Sequence, residues 1–584
     1  MNKSQEYLNN LRHSCAHLLA AAVMELWPDT KRTIGPAIEN GFYFDFEFKK
    51  PISETDLTKI EQRMHQIVKT WVSFERHELS PVRAKKEYPN NPYKHELIDE
   101  FSKKGQKLTF YKSGNYWDLC RGGHVDSKVH LKGVLQHFRL LSIAGAYWRG
   151  DEKNKMLTRI YGTCFQTKEE LEKYIWQQAE AKKRDHRKIG EKLELFALSD
   201  KVGPGLILWL PKGTIIKDEL EKFAKKTEKE WGYVRVSTPV ITKSGLYYTS
   251  GHLPYYKKDM YPPMKLDDKE EYYLKPMNCP HHTQIYARHP HSYRDLPQRY
   301  ANTTTCYRDE QSGELNGLSR TRAFAQDDAH VFCRIEQAKD EIQKIWEIVH
   351  VFYESFGLNL ELRLSLRDPS TPEKYLGNQE LWDKAEKILR GIAGENKTKY
   401  VEAPGEAAFY APKLDFMTKD SLSREWQVAT IQLDVNMPER FDLTCVNERG
   451  DKERIVMIHA AIMGSLERFM SILLEHTQGT FPLWLSPIQV KILPIGEAHF
   501  EYAKNVFEKL KAENIRTELD DSNESLGKKI RNAKIEKTPY MLVIGDKEVS
   551  EDKVTLESRD SGNLGQLGVE ELISKLKVEI KERK

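Results

Sequence analysis

The stretch Y-A-N-T-T-T-C-Y-R-D-E-Q-S-G-E-L-N-G-L-S-R-T-R-A-F-A-Q-D-D-A-H-V-F-C, residues 300–333, decides the fold. Both ends are rich in residues that favour strands. Between them E-Q-S-G-E-L-N-G-L-S-R (310–320) is polar and punctuated by Gly313 and Gly317, which marks a loop. The pattern is strand, long polar loop, strand: a β-hairpin with an unusually long tip. Arg308 falls on its first strand, Arg320 in the loop, and Gln326, Asp328 and His330 on the return strand.

Working outward, V-G-P-G-L-I-L-W-L-P-K-G (202–213) predicts a buried strand between turn signals, followed by a helix of about five turns. Y-V-R-V-S-T-P-V-I (233–241) predicts an alternating strand ending near Pro239. Residues 454–476 predict a strand running into a long amphipathic helix. Residues 1–165 mix helical patterns with short strands such as G-F-Y-F-D-F-E-F (41–48). Thr167 and Glu170 have capping-box spacing ahead of a Glu-, Lys- and Arg-rich segment, so 166–190 predicts a solvated linker helix. From Pro482 on, I-Q-V-K-I-L-P-I, a helix at 498–513 and M-L-V-I-G-D predict a small α/β domain with a parallel sheet, closed by a charged helix at 569–583. The expectation is an α+β multidomain chain divided at 1–165, 191–482 and 483–584.

Composition narrows the class. A net charge of +4 with 30% charged residues permits a nucleic-acid partner without demanding one. Seven scattered cysteines do not make a disulfide framework and point to a reducing compartment. The start, M-N-K-S-Q-E-Y-L-N-N, has no signal-peptide core, and no apolar run reaches the ~18 residues a membrane helix needs. The expected location is the cytoplasm.

Two sets of His and Cys carry chemistry. Cys279, in L-K-P-M-N-C-P-H-H (274–282), has no C-x-x-C partner. With His330 and His459 it offers one thiolate and two imidazoles, a set that suits zinc with one position open. The spacings are too long to establish that the three meet, and a small buried thiol beside hydrogen-bonded histidines is the ordinary alternative. His13 and His17, in H-S-C-A-H, stand four apart on one helix face. Cys120 and His124, in D-L-C-R-G-G-H, stand four apart near a turn. These four read as a second zinc site or as a coincidence of ordinary residues.

The motifs together resemble a known family. The unit ending at Pro239, the hairpin C-Y-R-D-E (306–310) with R-A-F-A-Q-D-D-A-H (322–330), and G-S-L-E-R-F (464–469) resemble the three signatures of class II aminoacyl-tRNA synthetases. M-N-C-P-H-H, Q-D-D-A-H and I-H-A-A (458–461) narrow this to the threonyl-tRNA synthetase family, and the likeness covers nearly the whole chain. It implies a class II catalytic core built on an antiparallel sheet, an N-terminal α/β editing domain and a C-terminal α/β anticodon-binding domain. It also implies that the small extra domain often found ahead of the editing domain is missing.

The resemblance assigns roles. It implies threonine activation by ATP with magnesium and one zinc per subunit on Cys279, His330 and His459. Arg308 would meet the α-phosphate, Arg320 and Arg468 the γ-phosphate, and Glu310 the adenine side. Gln326, Asp328, Tyr410 and Lys413 would line the threonine pocket, with Gln427, Thr430 and Gln432 beside them. Along Q-V-A-T-I-Q, Thr430 is expected on the face opposite Gln432, so that at least one of these three is structural or acts through a bulge. His252, in S-G-H, resembles a histidine implicated in transfer to the tRNA ribose.

A hydrophobic pocket separates threonine from valine by only about 10²-fold, so a metal that tests for the hydroxyl has a purpose. Serine carries the same hydroxyl and lacks one methyl, so a second, hydrolytic sieve is expected. His13, His17, Lys94, Asp118, Cys120 and His124 match the family's metal-free editing cleft for seryl-tRNA. Arg559, in V-T-L-E-S-R-D, matches an anticodon position, although Glu557 stands where an arginine is expected. Lys528, Lys529 and Arg531 are candidates for the tRNA backbone, with a solvated helix face as the more ordinary reading. Implied partners are tRNA(Thr), ATP, L-threonine and a second copy of the chain. A metal-dependent hydrolase would explain the His and Cys sets but not the arginines. An inactive relative would be expected to have lost some of those arginines.

Overall fold

The computed structural model describes residues 3–125, 131–266 and 270–583. The chain divides into two compact units, Met1–Glu180 and Ala181–Lys584. Among the described residues no helix is long and apolar enough to cross a membrane.

In the first unit, helix α1 (Lys3–Leu26) buries Leu11, Cys15, Ala16, Leu18, Leu19 and Val23. It packs on strand β1 (Gly41–Glu47) and helix α2 (Glu54–Ile67). Alternation along β1 sends Phe42, Phe44 and Phe46 into the core. On the other face Arg159 pairs with buried Asp45 at 2.7 Å. Helix α3 (Pro92–Lys103) and strands β2 (Thr109–Ser113) and β3 (Tyr116–Leu119) form a second layer. Strands β4 (Phe138–Tyr147) and β5 (Met156–Cys164) extend the main sheet in the order β1–β5–β4.

The expected capping box forms: Thr167 Oγ1 accepts from Glu170 N at 3.2 Å, and Glu170 Oε2 accepts from Thr167 N at 3.3 Å. The linker is two helices rather than one. Helix α4 (Lys168–Lys183) stops before Asp185, which caps helix α5 (His186–Lys192) by accepting from Arg187 N.

In the second unit two expected strands shrink. Within 202–213 only Leu208–Trp209 is strand, and Leu208 is 41% exposed. Gly203 and Gly205 take positive φ, and Pro211 starts helix α6 (Pro211–Glu230). Within 233–241 the strand is β6 (Val234–Arg235), and a separate strand begins at Ile241. The hairpin is as read. After helix α7 (Cys279–Ala287), strand β7 (Gln298–Tyr307) pairs antiparallel with β8 (Ala323–Cys333), from Gln298 opposite Phe332 to Tyr307 opposite Ala323.

Helix α8 (Ala338–Glu354) backs the sheet, which continues through β9 (Leu360–Leu366), β10 (Tyr400–Pro404), β11 (Lys413–Lys419), β12 (Glu425–Asp434) and β13 (Val456–Ala461). Spatial order is β6–β7–β8–β13–β12–β11–β9–β10, antiparallel except at its two edges. Helix α9 (Leu466–Thr477) follows β13 and is buried over most of its length.

The C-terminal sheet has its own core. Strands β14 (Val490–Pro494), β15 (Thr517–Leu519) and β16 (Tyr540–Ile544) are parallel. Strands β17 (Lys553–Ser558) and β18 (Gly562–Gly568) add on antiparallel, so the expected parallel sheet is mixed. Helix α10 (Val569–Glu582) closes the chain.

One irregularity reaches the site. Between β11 and β12, Phe416 faces Ala429 while Met417 faces Gln427, which leaves Val428 as the extra residue of a bulge. The buried hydroxyl of Tyr353 on α8 lies 2.9 Å from both Val428 O and Ile462 O. Tyr353→Phe leaves those carbonyls without this donor. It is expected to cost about 1–3 kcal/mol and to lower the thermal midpoint of the second unit, as read by calorimetry. An unchanged midpoint would contradict this role.

Candidate active site and a second polar cluster

Pairing of β8 with β13 sets His330 directly opposite His459. Their rings lie 4.7 Å apart, with Nε2 of His330 3.1 Å from Nδ1 of His459. Cys279 starts α7, and all three donor atoms fall within 4.8 Å of one another, buried. Asp434 Oδ2 accepts from His459 Nε2 at 2.9 Å, which leaves Nδ1 turned to the cluster. Asp434 Oδ1 in turn accepts from the main-chain N–H of Asn436 and Met437. On its other side, His330 Nδ1 lies 2.8 Å from His282 Nδ1. Burial holds the Cys279 thiol well above its ordinary pKa, so without a cation it keeps its proton. This donor set and the carboxylate behind it fit a zinc ion.

The cluster floors a cavity of about 380 Å³ that also receives Arg308, Gln326, Asp328, Tyr410, Lys413, Thr430 and Gln432. An adjoining cavity of about 260 Å³ shares Arg308, Gln326, Thr430 and Gln432 and adds Gln427 and Arg468. Two polar atoms of this cleft are buried without a partner: Arg308 Nε and Gln432 Oε1. Such atoms are costly unless a ligand completes them. The Arg308 guanidinium sits 4.9 Å from the Phe324 ring and 5.6 Å from that of Tyr256. Burial pushes Asp328 up to about 7. Lys413 reaches Asp415 at 3.3 Å.

The expected opposition of Thr430 and Gln432 is wrong. They stand two apart on a strand and share a face; Gln427 is the one brought round, by the bulge at Val428. Gln427 Nε2 donates to Thr430 Oγ1 at 2.9 Å, and both donate to Asp415 Oδ1. Arg468 lies in the first turn of α9, its guanidinium 5.9 Å from the Trp426 ring. Arg320 is half exposed and paired with Glu310 at 2.7 Å and Glu314 at 3.0 Å. His252 is fully buried: Ser250 Oγ lies 2.8 Å from its Nδ1, and Cys279 Sγ lies 3.9 Å from its Nε2.

The second cluster belongs to the first unit. His13 and His17 stand one turn apart on α1. Cys120 and His124 follow β3 across Gly122 and Gly123, whose positive φ values of 101° and 82° shape the turn. The four donor atoms lie within 4.8 Å of one another. Cys120 Sγ is 3.5 Å from His13 Nε2 and 3.4 Å from His124 Nε2. Burial lowers the pKa of His13, His17 and His124 and pushes the Cys120 thiol up to about 11. All four are therefore neutral at pH 7.

Lys94 and Asp118 join His13, His17 and Cys120 around a cavity of about 450 Å³. Asp118 accepts from Lys94 at 2.9 Å, Arg32 at 3.2 Å, Tyr88 at 2.5 Å and Tyr116 at 3.1 Å. Burial raises its pKa, but Lys94 and Arg32 more than offset this, so it stays ionised.

The sequence reading missed Asp434 and Arg32. Asp434 was within reach, two residues beyond Gln432 on the same face. Arg32 is 86 residues from Asp118, and no local pattern links them. In the C-terminal sheet, Arg559 donates to the carbonyls of Phe481 and Lys537, both at 3.0 Å, and to Asp560. Glu557 pairs with Lys534 at 3.1 Å. Lys529 is buried and donates to the carbonyls of Pro494 and Asp520, so it is a structural residue.

Residues 259–477 match the family described as tRNA synthetase class II core domain (G, H, P, S and T). Residues 489–579 match the anticodon binding domain, and 108–161 the threonyl and alanyl tRNA synthetase second additional domain. The threonine–tRNA ligase of Cytophaga hutchinsonii is 47% identical over 573 residues, 97% of this chain and 88% of that protein. That of Staphylococcus aureus is 45% identical over 583 residues, 100% of this chain and 90% of the other. The solved RNA binding domain of threonyl-tRNA synthetase from Cryptosporidium parvum superposes with a TM-score of 0.65 at 38% identity, covering 68% of this chain and 98% of that one. With three matched regions in order and this identity over nearly its whole length, the chain belongs to the threonyl-tRNA synthetase family of class II aminoacyl-tRNA synthetases.

Proposed function

We propose that the chain is a threonine–tRNA ligase that also hydrolyses seryl-tRNA(Thr). The observation that carries this is the cleft in which Cys279, His330 and His459 converge below the unpaired Nε of Arg308. Negative charge grows on the α-phosphoryl oxygens as the threonine carboxylate displaces pyrophosphate, and a buried, preplaced guanidinium is suited to meet it. Arg308 takes that role. Arg468 and Arg320 hold the γ-phosphate, Glu310 faces the adenine side, and Gln427 and Thr430 line the nucleotide half. Magnesium accompanies the triphosphate. Gln326, Asp328, Tyr410, Lys413 and Gln432 surround the amino acid. His252, held behind Cys279, serves the transfer to the tRNA ribose.

Bound to Cys279, His330 and His459, zinc would supply a site for an amino group and a hydroxyl together, which valine cannot fill. Asp434 keeps His459 in the tautomer that leaves Nδ1 available. Serine passes this test, because a missing methyl is worth only about 1–3 kcal/mol, and the second cluster answers it. There the neutral imidazole of His13, which lines the cavity, is able to accept a proton from a water attacking the ester carbonyl, while His17 and His124, whose charged forms burial strongly disfavours, help to position it. Asp118, saturated by donors, anchors Lys94 and Arg32 rather than acting as a base. No metal is required at this cluster.

The same reading makes tRNA(Thr) the acceptor, with the C-terminal sheet at the anticodon through the segment that Arg559 holds. It also makes the cytoplasm the location and a homodimer the working form. A hydrolase with no ligase activity leaves the arginines of the cleft without a purpose, and an inactive relative has no reason to keep them.

ATP–pyrophosphate exchange tests the first site. Turnover is expected with threonine, less with serine and almost none with valine, and zinc removal is expected to abolish the threonine signal. Equal turnover with valine would refute the hydroxyl test. For the second site, the variant carrying His13→Ala and Cys120→Ala is expected to accumulate seryl-tRNA in aminoacylation assays while threonine activation stays within about twofold. Undiminished clearance of seryl-tRNA would refute the editing role.

A further inference from the structure

A third polar cluster lies apart from both sites. Asp185, His186 and Glu475 bring their ligand-type atoms within 4.8 Å. A metal does not fit, because both carboxylates already face guanidinium groups: Asp185 meets Arg187 at 2.6 Å, and Glu475 meets Arg424 at 2.5 Å. The imidazole shows what the cluster does. His186 begins α5 and is 2% exposed. Its Nδ1 lies 2.6 Å from Glu475 Oε1, and an ionised carboxylate only accepts, so Nδ1 carries the hydrogen. Its Nε2 lies 3.0 Å from the main-chain N–H of Leu318, so Nε2 accepts. The ring is a neutral bridge held in one tautomer.

The two ends of this bridge lie on the two elements that carry arginines of the proposed nucleotide site. Leu318 sits in the long hairpin loop, two residues before Arg320, with its side chain buried in the core. Gly317 next to it passes so close that an added Cβ would stand 2.3 Å from His186 Nε2. Glu475 lies on α9 seven residues after Arg468, two turns along the same face and about 10 Å away. One buried ring therefore joins the loop that carries Arg320 to the helix that carries Arg468. A polar loop of this length has many conformations to lose when it closes. A buried hydrogen bond with a single acceptable tautomer removes much of that freedom before the nucleotide arrives.

We infer that His186 is a positioning residue for the triphosphate. It seats the 310–322 loop against α9 so that Arg320 and Arg468 converge on one phosphate, and it touches no substrate itself. The inference rests on the phosphate roles of those two arginines proposed above.

The test measures pyrophosphate exchange with ATP and threonine titrated separately, and amide hydrogen exchange across 310–322. His186→Ala is expected to raise KM for ATP at least tenfold, leave KM for threonine within twofold, and speed amide exchange in the loop. His186→Gln, which offers Leu318 an acceptor again, is expected to recover at least half of the ATP defect on a logarithmic scale. Gly317→Ala should reproduce the defect, and should add less on top of His186→Ala than it costs alone, because the ring it would strike is gone. Equal rises in both KM values, or a lower melting temperature with unchanged loop exchange, would reduce His186 to a packing residue and overturn the inference. A wild-type chain inert toward ATP would overturn the catalytic reading and the substrate named here together. Unchanged loop exchange in His186→Ala would overturn the tether alone.

Discussion

The register between β8 and β13 is the constraint on which the rest depends. It sets His330 opposite His459, and because side chains alternate along a strand, a slip of one residue between the two strands would send one ring to the other face and part the pair. The register is held at several points outside the cluster. Asp327, one residue before Asp328, points away from the cleft and accepts from the N–H groups of Met463 and Gly464 just beyond β13. Glu467 on α9 accepts from Ala325 N at 2.8 Å. The same alternation that puts Asp328 and His330 into the cleft thus turns the Asp327 carboxylate to the opposite side, where it and the main-chain N–H of Ala325 hold the strand to the segment after β13.

The two His and Cys clusters share residue types and differ in what surrounds them. At Cys279, His330 and His459 a carboxylate stands behind one imidazole, and the cleft above holds unpaired buried atoms. Around Cys120 the histidines pack on one another and on Phe74, with His13 and His124 rings 4.6 Å apart and His124 and Phe74 rings 4.0 Å apart. The carboxylate of Asp118 is committed to five donors and cannot orient a ligand histidine. The first arrangement raises ligand basicity for a cation; the second keeps neutral bases beside a cavity.

The hairpin was legible because its loop is polar and glycine-punctuated while its arms are not. The i, i+4 pairs His13/His17 and Cys120/His124 were legible as pairs, but their meeting depends on a contact between α1 and the turn after β3 that spans more than a hundred residues. The apolar run at 206–210 misled, since the flanking glycines and Pro211 limit its pairing to two residues. The face of Thr430 was misjudged by simple parity. The bulge that brings Gln427 beside it is supported by a tyrosine hydroxyl 75 residues away, which no local pattern announces. The parallel sheet expected at the C-terminus became mixed because β17 returns to β16 through a short helix and a turn, too brief a connection for a parallel crossover.

In the proposed function, one thiolate and two imidazoles from distant segments hold a zinc ion that recognises threonine. X-ray absorption fine structure at the zinc edge, recorded on active protein, tests it most directly. The account predicts one zinc per chain with a single sulfur at about 2.3 Å and two imidazole nitrogens at about 2.0–2.1 Å. A first shell without sulfur, or active protein without zinc, would contradict it.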